Sequence, residues 1–241
     1  MPLVTYRILG PGLPPRPTQM PVPGWGGDAK PRADGSHQQP WHCQPFSEGA
    51  KYGIEILYPF EQELRVRTLD GKVSLEADWG PDPENGMNWP PFRPFGDEFY
   101  SYQIALDLKC PPGWGVRMDA HPRYFVDLSN ETPLAVPAML RTEWWPMIFF
   151  IIFKAPPPGV THVFRHGEPF VQAMILPVEA EIALEPMSEE EAAERELMAR
   201  RMHEARDTLS AGTRWVSDSN TVFDGTYRHL SRAAKARDPQ T

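Results

Sequence analysis

The chain has 241 residues, of which 41% are hydrophobic and 23% charged, so it folds around a core of its own. Its 29 prolines and 18 glycines exclude a long helical bundle for most of its length, because proline removes a backbone donor and fixes φ. The net charge of −8 gives no basic field for nucleic acid, and the longest apolar run, Trp144 to Phe153, has ten residues where a membrane helix needs about 20.

The N-terminus lacks a basic stretch followed by an apolar one, so no signal peptide is expected. Cys43 and Cys110 form no C-x-x-C pair, and both read as free thiols in a reducing compartment. The expectation is a cytoplasmic protein with neither a membrane nor a nucleic-acid partner.

In chain order, Val4, Tyr6 and Ile8 alternate with Thr5 and Arg7, which predicts a short strand. Residues 11–45 hold nine prolines and five glycines and no apolar period. They read as an extended, proline-rich surface loop, pinned at Trp25 and Trp41. Leu64, Val66 and Thr68 share one strand face, as do Val73, Leu75, Ala77 and Trp79. Between them Asp70-Gly71 supplies the positive φ angles of a type I′ turn, so a hairpin is predicted. This region is acidic: Glu61 to Tyr100 carries nine acids against four bases, which reads as a solvated sheet face.

Further strands are predicted over Tyr100–Leu108, Gly115–Ala120, Tyr124–Leu128, Leu134–Thr142, Met147–Phe153, Val160–Phe164 and Phe170–Leu176, with the apolar run from Trp144 read as buried. Spacings of this kind predict a mainly β fold, an antiparallel sandwich or barrel-like domain over residues 1–186. The last quarter differs. Ser188-Glu-Glu-Glu191 is a capping box, opening a C-terminal α-helix over residues 187–212 that closes before Gly212. Met198, Met202, Ala205 and Leu209 form its apolar stripe, read as a packing face. A polar tail, 213–241, follows.

No G-x-S-x-G elbow, Walker A loop or G-x-G-x-x-G fingerprint is present, which disfavours serine hydrolase, ATP and dinucleotide chemistry. His42-Cys43 lacks the geometry of a nucleophile pair, since adjacent strand residues point apart. Two groups carry metal-type donors. Asp119 and His121 are two residues apart and share a strand face, and Glu143 adds a carboxylate from a neighbouring strand. Imidazole with carboxylate is the donor set of a non-heme iron or zinc centre. The second group is His162, His166 and Glu168. Its His-x-x-x-His spacing separates two strand side chains by about 13 Å, so only a curved turn uniting His166 with Glu168 serves one ion. Against the second stands the reading of ordinary exposed or hydrogen-bonded histidines, and against the first that of a structural ion pair, Asp119 with Arg117 or Arg123. Among eight tryptophans, Trp114, Trp144 and Trp145 lie at strand edges, and three readings stand open: aromatic side chains that line a small-molecule pocket, that anchor an interface, or that plug the core.

The segments Trp41-His-Cys-Gln-Pro-Phe46, Gly53-Ile-Glu-Ile-Leu-Tyr-Pro59, Cys110-Pro-Pro-Gly-Trp-Gly-Val116, Arg141-Thr-Glu-Trp-Trp145 and His166-Gly-Glu-Pro-Phe-Val-Gln-Ala-Met-Ile-Leu-Pro177 resemble an uncharacterised bacterial family, a domain of unknown function. The resemblance covers residues 41–180 and implies no activity. Residues 156–177 are also similar to the closing strands of the dUTPase and dCTP deaminase β-clip. That likeness implies nucleotide hydrolysis by analogy only, because the Arg-Ser-Ser type segment and the Asp-x-Gly-Tyr type loop are lacking. Two functions follow as expectations. The first is a non-catalytic binding or assembly module, in a homo-oligomer or a protein complex. The alternative is a metal-dependent enzyme, with iron or zinc, acting on a small molecule.

Overall fold

The computed structural model describes residues 2–19, 44–81, 89–126, 132–146, 149–179, 182–209, 215–216, 222–223 and 225–237. Most of the proline-rich loop lies outside them, with Trp25, Trp41, His42 and Cys43, as do Gly212 and the last residues of the tail. The chain divides into two compact units, Met1–Met20 with Ala50–Ala180 and Pro21–Gly49 with Glu181–Thr241.

The first unit is built from antiparallel strands. They are β1 (Thr5–Ile8), β2 (Arg16–Pro17), β3 (Ile54–Leu57), β4 (Leu64–Leu69), β5 (Lys72–Glu76), β6 (Phe92–Pro94), β7 (Phe99–Ile104), β8 (Leu106–Lys109), β9 (Trp114–Ala120), β10 (Ala138–Leu140), β11 (Phe149–Lys154), β12 (His162–Phe164) and β13 (Pro169–Pro177). The largest sheet runs β10-β9-β13-β3-β2. Two three-stranded sheets run β11-β7-β6 and β12-β4-β5, and β1 pairs with β8. The fold is mainly β, as expected, and no sheet closes into a barrel among the described residues.

The predicted hairpin forms as read. Leu69 pairs with Lys72 across Asp70 (φ 50°) and Gly71 (φ 75°). Both angles are positive, as the turn requires, and glycine meets that demand without a Cβ clash. The three larger sheets send their inner faces into one aromatic core. Tyr58, Phe92, Tyr100, Phe153, Phe164 and Phe170 are fully enclosed, and Phe92 stacks on Tyr102 with ring centroids 4.4 Å apart. Such pairs add about 0.5–1.5 kcal/mol each beyond the area they bury.

Three predicted strands are redrawn. Tyr100–Leu108 is two strands, β7 and β8, in different sheets, and the Ala105 carbonyl between them accepts from the Leu9 N–H at 3.0 Å. In place of the strand at Tyr124, Pro122–Val126 is a 3-10 turn, because the Tyr124 N–H bonds back to the His121 carbonyl at 3.0 Å. Leu134–Thr142 shortens to β10, with one isolated bridge, Ala135 to Phe153, before Pro137. The run Trp144–Phe153 is not one buried strand either, since β11 starts at Phe149 and both tryptophans are exposed.

The second unit holds α1 (Gln44–Ala50, whose last residue belongs to the first unit), α2 (Glu189–Glu204), α3 (Arg206–Leu209), a two-residue pair of strands β14 (Trp215–Val216) and β15 (Val222–Phe223), and α4 (Thr226–Arg237). Ser188 caps the start of α2: its Oγ accepts from the Glu191 N–H at 3.2 Å. The predicted helix is interrupted at Ala205, whose ψ of −8° ends α2 before α3 adds one more turn. Met198 and Met202 of the predicted stripe are exposed where a packing face was expected, Ala205 is half-buried, and α2 buries no side chain. α4 falls where a polar tail was expected. No helix among the described residues is long and apolar enough to cross a membrane.

Candidate functional site

The donors read as metal ligands are held in separate local contacts. Asp119 on β9 takes two hydrogen bonds from Arg117, at 2.7 Å from Nε and 3.3 Å from the terminal nitrogen. Their side chains lie on one strand face two residues apart, so the pair forms within the strand. His121, just beyond β9, is fully buried. Its Nδ1 accepts from the Arg123 N–H at 3.2 Å, which leaves the proton on Nε2. That proton is donated to Glu55 Oε2, 3.2 Å away. Burial lowers the His121 pKa to about 4; Glu55 opposes the shift, and Arg123 and Arg16 reinforce it. The ring is therefore neutral, and its single lone pair is already engaged. It has none to give an ion. Glu143 points elsewhere and accepts from the Gly113 N–H at 2.8 Å.

The second set is dispersed as well. His162 lies inside β12 with Nδ1 2.9 Å from the Tyr100 hydroxyl, and burial lowers its pKa to about 4. His166 is exposed beyond the strand, 3.4 Å from Glu61. Glu168 accepts from Arg123 at 2.8 Å. The backbone turns at Gly167 (φ 73°), yet it does not bring His166 and Glu168 to a common point. Among the described residues no three His, Cys, Asp or Glu side chains stand close enough to share an ion. The sets Asp119–His121–Glu143 and His162–His166–Glu168 thus form no centre, because each donor is satisfied by its own neighbour.

Sequence reasoning missed Glu55. It is fully buried on β3 and accepts from Arg16 Nε at 2.5 Å, the Gln19 N–H at 3.0 Å and His121 Nε2 at 3.2 Å. One carboxylate so ties the N-terminal segment, β3 and the end of β9 together. Its signal was a lone acid inside the apolar run Ile54-Glu-Ile-Leu57, a position where an unpaired charge is untenable. The cluster uses every acceptor it offers, which is the pattern of a structural lock.

The tryptophans differ. Trp144 is 61% and Trp145 40% exposed, and their rings meet edge to face with centroids 5.9 Å apart. They sit just after β10, on a loop held at its root. Thr142 is buried and its Oγ1 accepts from the Cys110 N–H at 3.2 Å, and Glu143 binds the Gly113 N–H. The Cys110–Trp114 segment that donates these bonds is itself closed by the Trp114 N–H to the Pro111 carbonyl at 3.1 Å. Behind it Gly115 is required: a Cβ there would lie 2.7 Å from the Leu140 carbonyl and 2.8 Å from Val178. Of the three tryptophans read as binding residues, Trp144 and Trp145 are joined on the surface. Trp114, next to the Gly113 anchor, is half-buried against the core. Apolar side chains near the pair in sequence, Met139 on β10 and Phe150 on β11, are exposed too. Two large rings on a loop anchored at its root offer an apolar surface to water.

No known family model matches the chain, and no curated protein matches it.

Proposed function

We propose that the protein is a non-catalytic binding or assembly module whose contact face centres on Trp144 and Trp145. The observation that supports this is the exposed edge-to-face pair on a loop fixed by Thr142 and Glu143. A tryptophan ring loses little conformational freedom on binding and buries up to about 250 Å². A loop ordered in advance lowers the entropic cost of association further. The resemblance over residues 41–180 implies no activity that competes with this reading, and the dispersed donors offer the metal-enzyme alternative no site among the described residues.

The test is the mass of the native species. Size-exclusion chromatography with light scattering, on purified protein and on tagged protein recovered from its source, is expected to give oligomers or a stoichiometric complex. At about 500 mM salt, where exposed ion pairs are screened, Trp144→Ala and Trp145→Ala lose the oligomer or complex that the parent keeps, while circular dichroism stays that of the parent. A strict monomer that recovers no stoichiometric partner overturns the reading, as does a complex indifferent to both substitutions.

A further inference from the structure

A second surface, carried by charge, lies on the helical unit. α4 has four bases, Arg228, Arg232, Lys235 and Arg237, and no acid in its twelve residues, in a chain whose net charge is −8. Arg228, Arg232 and Lys235 follow the i, i+4, i+7 spacing of one helix face. Lys235 binds Glu48 at 3.0 Å, whereas no ion pair among the described residues engages Arg228 or Arg232. α2 is the complement. Its first eight residues, Glu189–Glu196, carry five glutamates and one arginine. Glu190, Glu194 and Leu197 repeat the same spacing, with Glu190 and Glu194 outside any ion pair among the described residues. Both stripes are about 10 Å long at 1.5 Å per residue.

The helix dipoles explain only part of this. They favour Glu189–Glu191 at the start of α2 and Lys235 and Arg237 at the end of α4. They do not favour Arg228, which sits in the first turn of α4, and they are indifferent to Glu194. Each stripe sets like charges four residues apart, which destabilises its own helix. α2 buries no side chain, and a helix of its length is marginal in water without a packed face, whereas α4 rests on α1 through Ser231 with Gln44 and Lys235 with Glu48. Among the described residues, Arg228 and Arg232 on one helix and Glu190 and Glu194 on the other are thus opposite charges at the same spacing outside any ion pair.

We propose that these faces pair between two copies of the chain: α4 of one copy lies along the first half of α2 of the other, and two-fold symmetry makes the contact twice. Arg228 and Arg232 meet Glu190 and Glu194. Tyr227 and Leu197, both exposed, cover the edges of the charged strip. This contact differs from the Trp144–Trp145 face in element and in chemistry, so salt separates the two.

Sedimentation velocity of the full chain is expected to give a dimer at about 50 mM salt whose dissociation constant rises at least about tenfold by 500 mM, since exposed pairs are screened. R228E/R232E and E190R/E194R each lose this salt-sensitive dimer. Mixed in equal amounts they form a heterodimer, because each then offers the charge the other lacks, and that recovery shows that both variants are folded. A monomer at low salt overturns the proposal, as does a dimer that either double substitution leaves intact, or two variants that stay monomeric when mixed. Assembly that ignores salt and the charge reversals but is lost in Trp144→Ala overturns this proposal alone and leaves the tryptophan face standing.

Discussion

The Glu55–His121 cluster and the Trp144–Trp145 loop lie in the same β unit and treat polar and apolar groups in opposite ways. In the first, a carboxylate and an imidazole are taken fully out of water and every hydrogen-bonding atom finds a partner. In the second, two of the largest apolar side chains stay in water while the small polar residues before them, Thr142 and Glu143, are tied to backbone. Buried charge is tolerated only when it is paired, so the first arrangement answers to the fold. Among the described residues the two rings are in contact with each other and stand in water, and the proposed contact face rests on that.

That contrast predicts the largest loss of stability at Glu55. Glu55→Ala strands the His121 Nε2–H and the Gln19 N–H and frees Arg16, at a cost of about 3–5 kcal/mol. Glu55→Gln keeps an acceptor and costs less. Urea denaturation of both variants checks the order; equal losses would mean that the negative charge decides and that an amide of the same volume does not replace it.

The next effect is on pH. His121 and His162 are held neutral, each with a pKa near 4, while an unfolded histidine titrates near 6.5. Between those values the unfolded chain binds the extra proton. Stability is therefore complete above about pH 6.5 and falls as pH drops towards 4, on the order of 2–3 kcal/mol per histidine. Thermal melts from pH 7 to 4 check this, and His162→Phe should flatten the curve. An unchanged slope in that variant would remove His162 from the account.

These two cases also mark what can be read along a chain. The Asp70-Gly71 turn and the Ser188 cap are local: all the atoms that decide them lie within four residues, and both formed as read. The partners of Glu55 lie 36 to 66 residues away. Whether His121 is a ligand or a locked core residue depended on a strand that spacing alone does not place beside it. The error in reading Asp119, His121 and Glu143 together came from the same source. Face-sharing along a strand says which side chains are parallel, and only register says which neighbouring strand they meet. β13 sets Gln172 opposite both Asp119 and Glu55, so no carboxylate from the loop after β10 enters that row. α4 was missed for a compositional reason. Its charges mask a helical period that its mean hydropathy does not advertise.

A smaller effect separates the helical unit from the β unit. Ser188→Ala removes the acceptor of the Glu191 N–H and should cost α2 about 1 kcal/mol. Because α2 buries no side chain, hydrogen exchange is expected to rise over Glu189–Glu204 while protection in β7 and β13 is unchanged. A matching fall in the β unit would show that the helix supports the core.

The smallest predicted effect on stability is the most informative for function. Trp144→Ala leaves a ring-sized gap only at the surface, so the unfolding free energy should change by no more than about 0.5 kcal/mol. Gly115→Ala makes the instructive companion. It drives a Cβ into the Leu140 carbonyl and Val178, displacing the turn that anchors the loop without altering either tryptophan. If pre-ordering of the pair is what makes the face bind, Gly115→Ala weakens association as Trp144→Ala does, and it lowers the melting temperature as Trp144→Ala does not. If association survives Gly115→Ala at full strength, the rings act without their scaffold, and the bonds from Thr142 and Glu143 serve the fold alone.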